Sequence, residues 1–543
     1  MEGKKGSEKP TLFLRTASGL TKAWSPYDLF IFNVIAINPV VQIALGYYIA
    51  AIIFPDGDLV LGVLLCTIVA VMAQPVYSLL AASMPRTGGD YIYQSRLLHP
   101  LIAVMTAFVW YYLILFIWAT TGGWNASMLF LSPICIFWGQ ATGNPGLVEL
   151  GRWWVSPIGV FVSVLIAFGW SAALNIAGIK WYGRFQKACW YIGLAGFVTW
   201  VGMMFSFSQP HFIESFNSFM QEWGWSHISY QGIINQAVAE GATISAPTNL
   251  MSTLMIIPIA GYALLWGQWG VAQLGEVKKA GSVKNMMFAI TCATIVAGIM
   301  STLLIWGVLN VAGREFYYST VYLFNNGTTP LPIPPYFGFF VATLTKNPIL
   351  QLWILGSFAA WMYGWCPNMC LPATRVTFAM AFDRLGPEWW AKLHPKTKTP
   401  VLSIIFFTVM QFLCAIPFIF YPEIGAYMSL CIITGIICLG ATVLAGTLWP
   451  WTHPESYKGS LAAKYKIGPI PMITFFGVIY LACTAMMLGF MLGTPYYGFW
   501  DIKGYGVLIV LYAIPAALYF YYKWKRKREG IDLNLVYKEI PVD

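Results

Sequence analysis

Charge is the scarce ingredient of this sequence. Of its 543 residues, 10% are Asp, Glu, Lys or Arg and 58% are apolar. A soluble domain carries about 25% charge, so a soluble globular protein is excluded. Histidine is equally thin: the five residues, at 99, 211, 227, 394 and 453, all read as loop or interfacial positions. A hydrolase or metalloenzyme needs converging His, Asp or Glu, and proton pumps usually carry carboxylates at bilayer depth. Neither pattern is evident, so neither an enzyme nor a metal site is expected. Ten cysteines are present, almost all inside apolar runs, where a thiol packs as a small hydrophobe. Cys366 and Cys370 stand one helical turn apart without a companion His or carboxylate. No disulfide framework is indicated.

What the chain has in abundance is long apolar runs. Twelve are long enough to cross a bilayer as helices, near 29–54, 59–83, 100–122, 155–177, 186–207, 250–274, 286–311, 347–374, 400–420, 424–448, 470–492 and 503–523. The N-terminal tail is polar and basic, without the apolar core of a cleavable signal peptide. The first span is therefore expected to direct insertion. Twelve spans put both termini on one side. With that side cytoplasmic, 27 of the 31 Lys and Arg fall in cytoplasmic segments, leaving Arg152, Arg314, Lys346 and Lys503 outside. That asymmetry follows the positive-inside rule, so a multi-pass plasma-membrane protein with both termini cytoplasmic is expected. The net charge of +10 then belongs to the inner membrane face and does not indicate nucleic acid. The run KWKRKRE after the last span should meet anionic lipid headgroups, at about 1 kcal/mol per cation. Between spans five and six, Phe212, Phe216, Phe219 and Trp223 recur at helical spacing, which reads as an amphipathic surface helix.

Two spans carry breaks near their middles. The first reads LFIFNVIAINPVVQIALGYYIAAIIF, with Asn38-Pro39 inside it. Proline removes the N–H that would bond the Ile35 carbonyl, and Asn38 before it is pushed from helical dihedrals. In a membrane, the freed groups need protein, water or solute as partners. The break is either a tolerated kink or part of a solute site. Span six carries Trp266-Gly267-Gln268-Trp269-Gly270. Its glycines serve either close helix packing or backbone exposure. The two interrupted spans are five apart, an odd number, so repeats built on them must be inverted. Paired interruptions of this kind point to a transporter site near the midplane.

Four further stretches add a resemblance. MPRTGGDYIYQSRLLHP (84–100), LNIAGIKWYGRFQ (174–186), LGEVKKAG (274–281) and ATRVTFAMAFDRLGPEWWAKLHPKTKTPVLS (373–403) resemble, in order and at matching topological positions, signature motifs of the amino acid–polyamine–organocation (APC) permeases. The resemblance covers roughly residues 20–450. It implies an all-α polytopic fold of the leucine-transporter (LeuT) type, two inverted five-helix repeats plus two extra helices. The chain would divide into a tail (1–24), a first repeat (25–207), an outer loop (208–249), a second repeat (250–448), two further spans (449–523) and a basic tail (524–543).

The implied function is secondary transport of amino acids or related amines by alternating access. The alternatives are a carrier of another small solute on the same fold and a transport-inactive sensor. Carried over from the family, the substrate candidates are Ala36, Ile37, Asn38 and Pro39 on span one, Tyr262, Trp266, Gly267 and Gln268 on span six, Trp118 on span three, and Asn368 and Met369 on span eight. In the cytoplasmic motifs, Gly88 and Gly89 permit a tight turn or close backbone approach. Arg375 and Asp383 are expected to pair, holding an inner gate. Glu276, at a helix C-terminus where the dipole disfavours an anion, needs a compensating Lys, Arg or water. The chain departs from the family in two places. Ala36-Ile37-Asn38-Pro39 replaces the glycine-rich loop whose N–H groups hold a substrate carboxylate in the family; either the Asn38 amide substitutes as donor or the substrate lacks an amino acid's carboxylate. Gly193 stands where some proton-coupled members carry a lysine, and Ser357 is the one evident span-eight hydroxyl for a sodium site. No cofactor is implied, and the residues do not choose between proton coupling, sodium coupling and exchange.

Overall fold

Ser25 starts the first span and Asn38 ends its first half. The computed structural model describes residues 19–41, 50–244, 246–421, 430–497 and 502–537. Helix α1, Pro26–Ile37, begins with a capping box, in which the Ser25 hydroxyl accepts from the Asp28 N–H and the Asp28 carboxylate accepts from the Ser25 N–H. It stops after 12 residues because Asn38 adopts the left-handed region, φ 47°, which Asn tolerates better than other side chains. The Asn38 N–H closes the last turn on the Val34 carbonyl at 2.9 Å. The Asn38 Oδ1 then accepts from the Val41 N–H at 3.3 Å, opening the outer half of the span. Residues 42–49 of that half lie outside the described residues.

Helix α2, Leu59–Ser83, crosses next, followed by the buried helix α3, Gly89–Leu97. The third span is a bent pair, α4 (Pro100–Phe116) and α5 (Trp118–Ala141), meeting at 41°. It is longer than the expected 100–122, and π-turns at Val109–Leu113 and Ser127–Leu131 widen it. Helices α6 (Pro157–Ala177) and α7 (Ile179–Ser206) follow. Gly178 between them has a φ of 99°, which lets α7 start directly, seven residues before the expected span. Helix α8, Gln209–Glu222, is the expected amphipathic segment, but it lies on protein. Phe212, Phe216 and Phe219 are buried against Phe316, Phe339 and Phe340.

Span six begins as α9, Leu250–Leu264, and does not resume as an α-helix. A turn at 265–268 leads into single 3-10 turns at Trp269–Ala272 and Leu274–Glu276. The remaining spans are α10 (Val283–Ala312), α11 (Pro348–Phe382), α12 (Val401–Phe420), α13 (Leu430–Thr452), α14 (Met472–Gly493) and α15 (Ile502–Arg528). A short helix, α16 (Leu533–Val536), ends the described chain. Among the described residues the only sheet is a hairpin of two-residue strands, Lys466–Ile467 and Ile470–Pro471.

Among the described residues, ten helices are long and apolar enough to cross a membrane, or eleven with the bent pair counted as one span. The expectation from the apolar runs is twelve. The shortfall is the first span, whose described helix is too short because Asn38-Pro39 interrupts it.

Small residues set the helix contacts. A Cβ on Gly193 of α7 would meet Trp361 Nε1 of α11 at 2.8 Å, and one on Gly196 would meet Ser357 Oγ at 2.3 Å. The Trp361 indole donates to the Gly193 carbonyl at 3.0 Å, and the Trp200 indole to the Ile354 carbonyl at 3.1 Å. The Trp361 indole thus fills the space beside Gly193. The one candidate sodium hydroxyl, Ser357, bonds the Ile354 carbonyl of its own helix.

Candidate functional site

Proline in a membrane helix frees a carbonyl, and this chain uses those freed groups to tie its broken spans together. Pro372 within α11 cannot bond the Asn368 carbonyl. The Trp269 indole, just past the break in span six, donates to that carbonyl at 3.0 Å. The Asn368 Nδ2 donates to the Phe32 carbonyl of α1 at 2.9 Å. One asparagine on span eight therefore holds both broken spans. Asn33 of α1 makes the reciprocal link. Its Oδ1 accepts from the Gly270 N–H at 2.8 Å, and its Nδ2 donates at 2.8 Å to the Ala289 carbonyl, within a π-turn of span seven. The unwound backbone is satisfied by side chains, as a low-dielectric interior requires.

Beside this junction sits an aromatic box. Trp118 lies 4.5 Å from Trp266 and 4.9 Å from Tyr262, centroid to centroid, and Trp110 stacks on Trp266 at 4.5 Å. With Leu265, Gly261 and the span-ten residues Cys431, Ile432 and Gly435 they enclose about 10 Å³, room for about one water. Indole and phenol faces attract cations, best when desolvated. The Trp110 Nε1 and the Asn368 Oδ1 are buried without hydrogen-bond partners among the described residues. A buried polar atom of this kind ordinarily has a partner.

The structure thus brings Trp118, Tyr262 and Trp266 together and adds Trp110, which the resemblance did not supply. The π-turn Val109–Leu113 is what carries Trp110 and Tyr111 towards span six, and no side-chain motif announces a π-turn in sequence. The other candidates fall elsewhere. Ala36, Ile37, Asn38, Pro39 and Met369 are buried but do not line the cavity. The Asn38 amide is engaged by its own backbone and, at 3.4 Å, by the Trp361 carbonyl. Gln268 donates to the Leu265 carbonyl at 2.8 Å. Gly267 is a packing glycine, since a Cβ there would meet Thr294 Oγ1 at 1.8 Å.

At the basic end of the bundle the expected Arg375–Asp383 pair does not form. The two are eight residues apart on one helix, a rise of about 12 Å, too far to meet. Arg375 instead forks onto Glu276, Nε to Oε2 at 2.8 Å and Nη2 to Oε1 at 2.9 Å, both side chains fully buried. That is the cation Glu276 requires. Asp383 pairs with Arg96 of α3 at 2.6 Å and accepts from the Tyr91 hydroxyl at 2.9 Å. The Glu276 carbonyl accepts from the N–H groups of Ala23 and Trp24, and the Gly88 N–H donates to the Ala272 carbonyl. Gly88 (φ 112°) and Gly89 (φ 43°) have left-handed backbones, and a Cβ on Gly89 would meet the Ala272 nitrogen at 2.9 Å. The segment before span one, the segment after span six and α3 are closed against one another here. Of the basic run in α15, Arg526 turns inward to the Arg384 carbonyl at 3.1 Å.

The scarcity of charge leads to the expectation of essentially no charge at bilayer depth. Burial within the helical packing nonetheless reaches Glu276, Arg375, Asp383, Arg96 and, fully buried on α3, Asp90. The sequence signal for Asp90 was an acid directly after the glycine pair.

No curated protein matches this chain at significant similarity. The family profile described as amino acid permease matches residues 29–497, from the first span to beyond α14. With this match over most of its length, the chain belongs to the amino acid permease family of the APC superfamily, membrane transporters of LeuT-like fold and not enzymes.

Proposed function

We propose that this permease moves amino acids or related amines across the plasma membrane by alternating access, with both termini cytoplasmic. The solute sits between the breaks of spans one and six. The observation that carries this reading is the pair of interruptions itself, α1 ending at Ile37 and α9 at Leu264, joined through Asn33, Asn368 and Trp269. Interrupted helices at matching positions of two inverted halves are the form of a secondary-transporter site. The halves here are residues 25–207 and 250–448, with 449–523 as the two added spans. The aromatic box of Trp110, Trp118, Tyr262 and Trp266 supports an amine-bearing solute. Without a glycine-rich loop on span one, the carboxylate of an amino acid finds fewer backbone donors, which supports selection by the amine. The closed contacts at the basic end, Arg375–Glu276 and Arg96–Asp383, serve as the inner gate. Lys523, Lys525, Lys527 and Arg528 at the end of α15 face anionic headgroups.

The test uses purified protein in liposomes. A radiolabelled mixture of the twenty amino acids and a set of polyamines are assayed for uptake and for counterflow against preloaded unlabelled solute. Counterflow of an amino acid or amine supports the reading. Binding seen by thermal shift without counterflow identifies a sensor, and no response to any amine moves the substrate to another chemical class.

A further inference from the structure

Four carboxylates are buried among the described residues, and three have a cation. Asp28 pairs with Lys187 at 2.8 Å, Glu276 with Arg375 and Asp383 with Arg96. Asp90 has none. Its Oδ1 accepts from the Tyr77 hydroxyl of α2 at 2.6 Å and from the Thr442 hydroxyl of α13 at 2.5 Å, and its Oδ2 accepts from the Tyr111 hydroxyl of α4. The other titratable groups facing it are Tyr93 on its own helix, Cys438 of α13 and Tyr480 of α14. None of these brings a positive charge. Burial pushes the Asp90 carboxyl above the ordinary carboxylate range, and the three hydroxyl donors oppose that.

We propose that Asp90 is the proton-binding site of this permease, taking up and releasing one proton per transport cycle. The inference rests on the transport reading above and supplies its coupling ion. All three hydroxyls donate to the ionised carboxylate. When a proton binds, the new Asp90 O–H needs an acceptor, and one of the three hydroxyl oxygens can supply it by rotating. Hydroxyl rotors permit that exchange without moving the backbone. Each of the three sits on a different span, so the exchange redistributes bonds among α2, α4 and α13. Two contacts carry the change to the broken span. The Tyr111 ring stacks on Trp269 at 4.4 Å and 11°. Gly89, adjacent to Asp90, lies against the Val271–Ala272 backbone, where a Cβ would come within 3.0 Å. A motion that draws the span-six segment away from α3 opens Asp90 to water and lets its proton exchange. The neutral form suits the closed, dry state and the ionised form the hydrated one. In a pocket with fixed cations, as around Glu276, protonation would leave an arginine unpaired. Asp90 carries no such penalty.

The test reconstitutes the full chain in liposomes, with the membrane potential clamped, and supplies the radiolabelled twenty-amino-acid mixture under an inward proton gradient. Wild-type protein should accumulate label above the level reached without the gradient, and Asp90→Asn should lose that gradient-driven component. In nanodiscs, infrared difference spectra across a pH titration should show a protonated-carboxyl band that Asp90→Asn abolishes. Tyr111→Phe, which removes a donor to the ionised form, should shift its midpoint upward by about one pH unit. The shift keeps the proposal open to test should Asp90→Asn fold poorly. Counterflow that proceeds in the wild type while the gradient has no effect would overturn the proton site and leave the transport reading standing. Gradient-driven accumulation that survives in Asp90→Asn would do the same. If no amino acid shows counterflow, the substrate reading fails, and the carboxyl band alone decides: its absence from the wild-type titration refutes the proton site.

Discussion

Arg375 grips Glu276 with two parallel hydrogen bonds, 2.8 and 2.9 Å long, in a place where neither side chain touches water. The pair joins span eight to the unwound end of span six, and backbone bonds from Ala23 and Trp24 to the Glu276 carbonyl add span one. Any inward opening that separates spans one and six from the rest must part or carry this pair. A fully desolvated fork is strong once formed, and leaving one partner behind is expensive.

Breaking the pair from one side is therefore expected to cost more than removing it. Arg375→Met alone leaves a buried carboxylate and should destabilise the protein by about 3–5 kcal/mol. Arg375→Met with Glu276→Leu should recover much of that loss. Thermal unfolding in detergent of both single variants and the double variant measures the coupling. A double variant no more stable than Arg375→Met would show that the pair does not act as a unit.

The aromatic box predicts a graded loss of affinity for amines. Trp118→Leu or Trp266→Leu removes a cation-attracting face, worth about 0.5–2 kcal/mol, or roughly 2- to 30-fold in Kd. Calorimetry with whichever amine shows counterflow reads the change. Phenylalanine at either position should lose less than leucine, because a weaker π-face remains. Equal losses for Phe and Leu would assign the tryptophans to packing alone.

Gly267 predicts a steric conflict with an identified partner. A Cβ there falls 1.8 Å from Thr294 Oγ1, so Gly267→Ala should destabilise by about 1–3 kcal/mol. Thr294→Ala in the same chain removes the clashing atom and should restore most of the loss. Melting temperatures of the two single variants and the pair check this. Additive losses would show that the strain lies in the backbone of the break.

Asn38 predicts a stability effect from backbone geometry. At φ 47°, alanine is strained by about 1–2 kcal/mol and also loses the cap on Val41. Asn38→Gly keeps the left-handed backbone, so Asn38→Ala should melt below Asn38→Gly. The reverse order would mean that the side-chain amide matters more than the dihedral.

Much of the architecture was open to sequence reading because bilayer physics restricts it so tightly. Apolar runs of spanning length and the sidedness of Lys and Arg predicted a polytopic helical membrane protein. Asn38-Pro39 and the glycines around Gln268 marked two breaks, and α1 and α9 do end there, because a missing N–H and a helix-weak segment act locally. Pairing was a different matter. Arg375 was matched with Asp383 because both belong to one motif, whereas α-helical rise holds them apart and the fold presents Glu276 and Arg96 instead. Gln268 and Asn38 read as free amides and prove to be bonded to backbone. Trp110 had no distinguishing local pattern, since a π-turn aims it.

The sequence by itself determined the helical membrane class, the breaks in spans one and six and the family motifs that flank the spans. Each of these follows from residues within one helix length of one another. The tertiary structure alone decided which ions pair, which glycines pack and which rings form the box. Those outcomes depend on contacts between residues up to hundreds of positions apart, such as Asn33 with Ala289 and Asn368 with Phe32. It also decided that Asp90, an acid in a loop motif by sequence, is enclosed by three hydroxyls from three spans, because burial is a property of the assembled bundle.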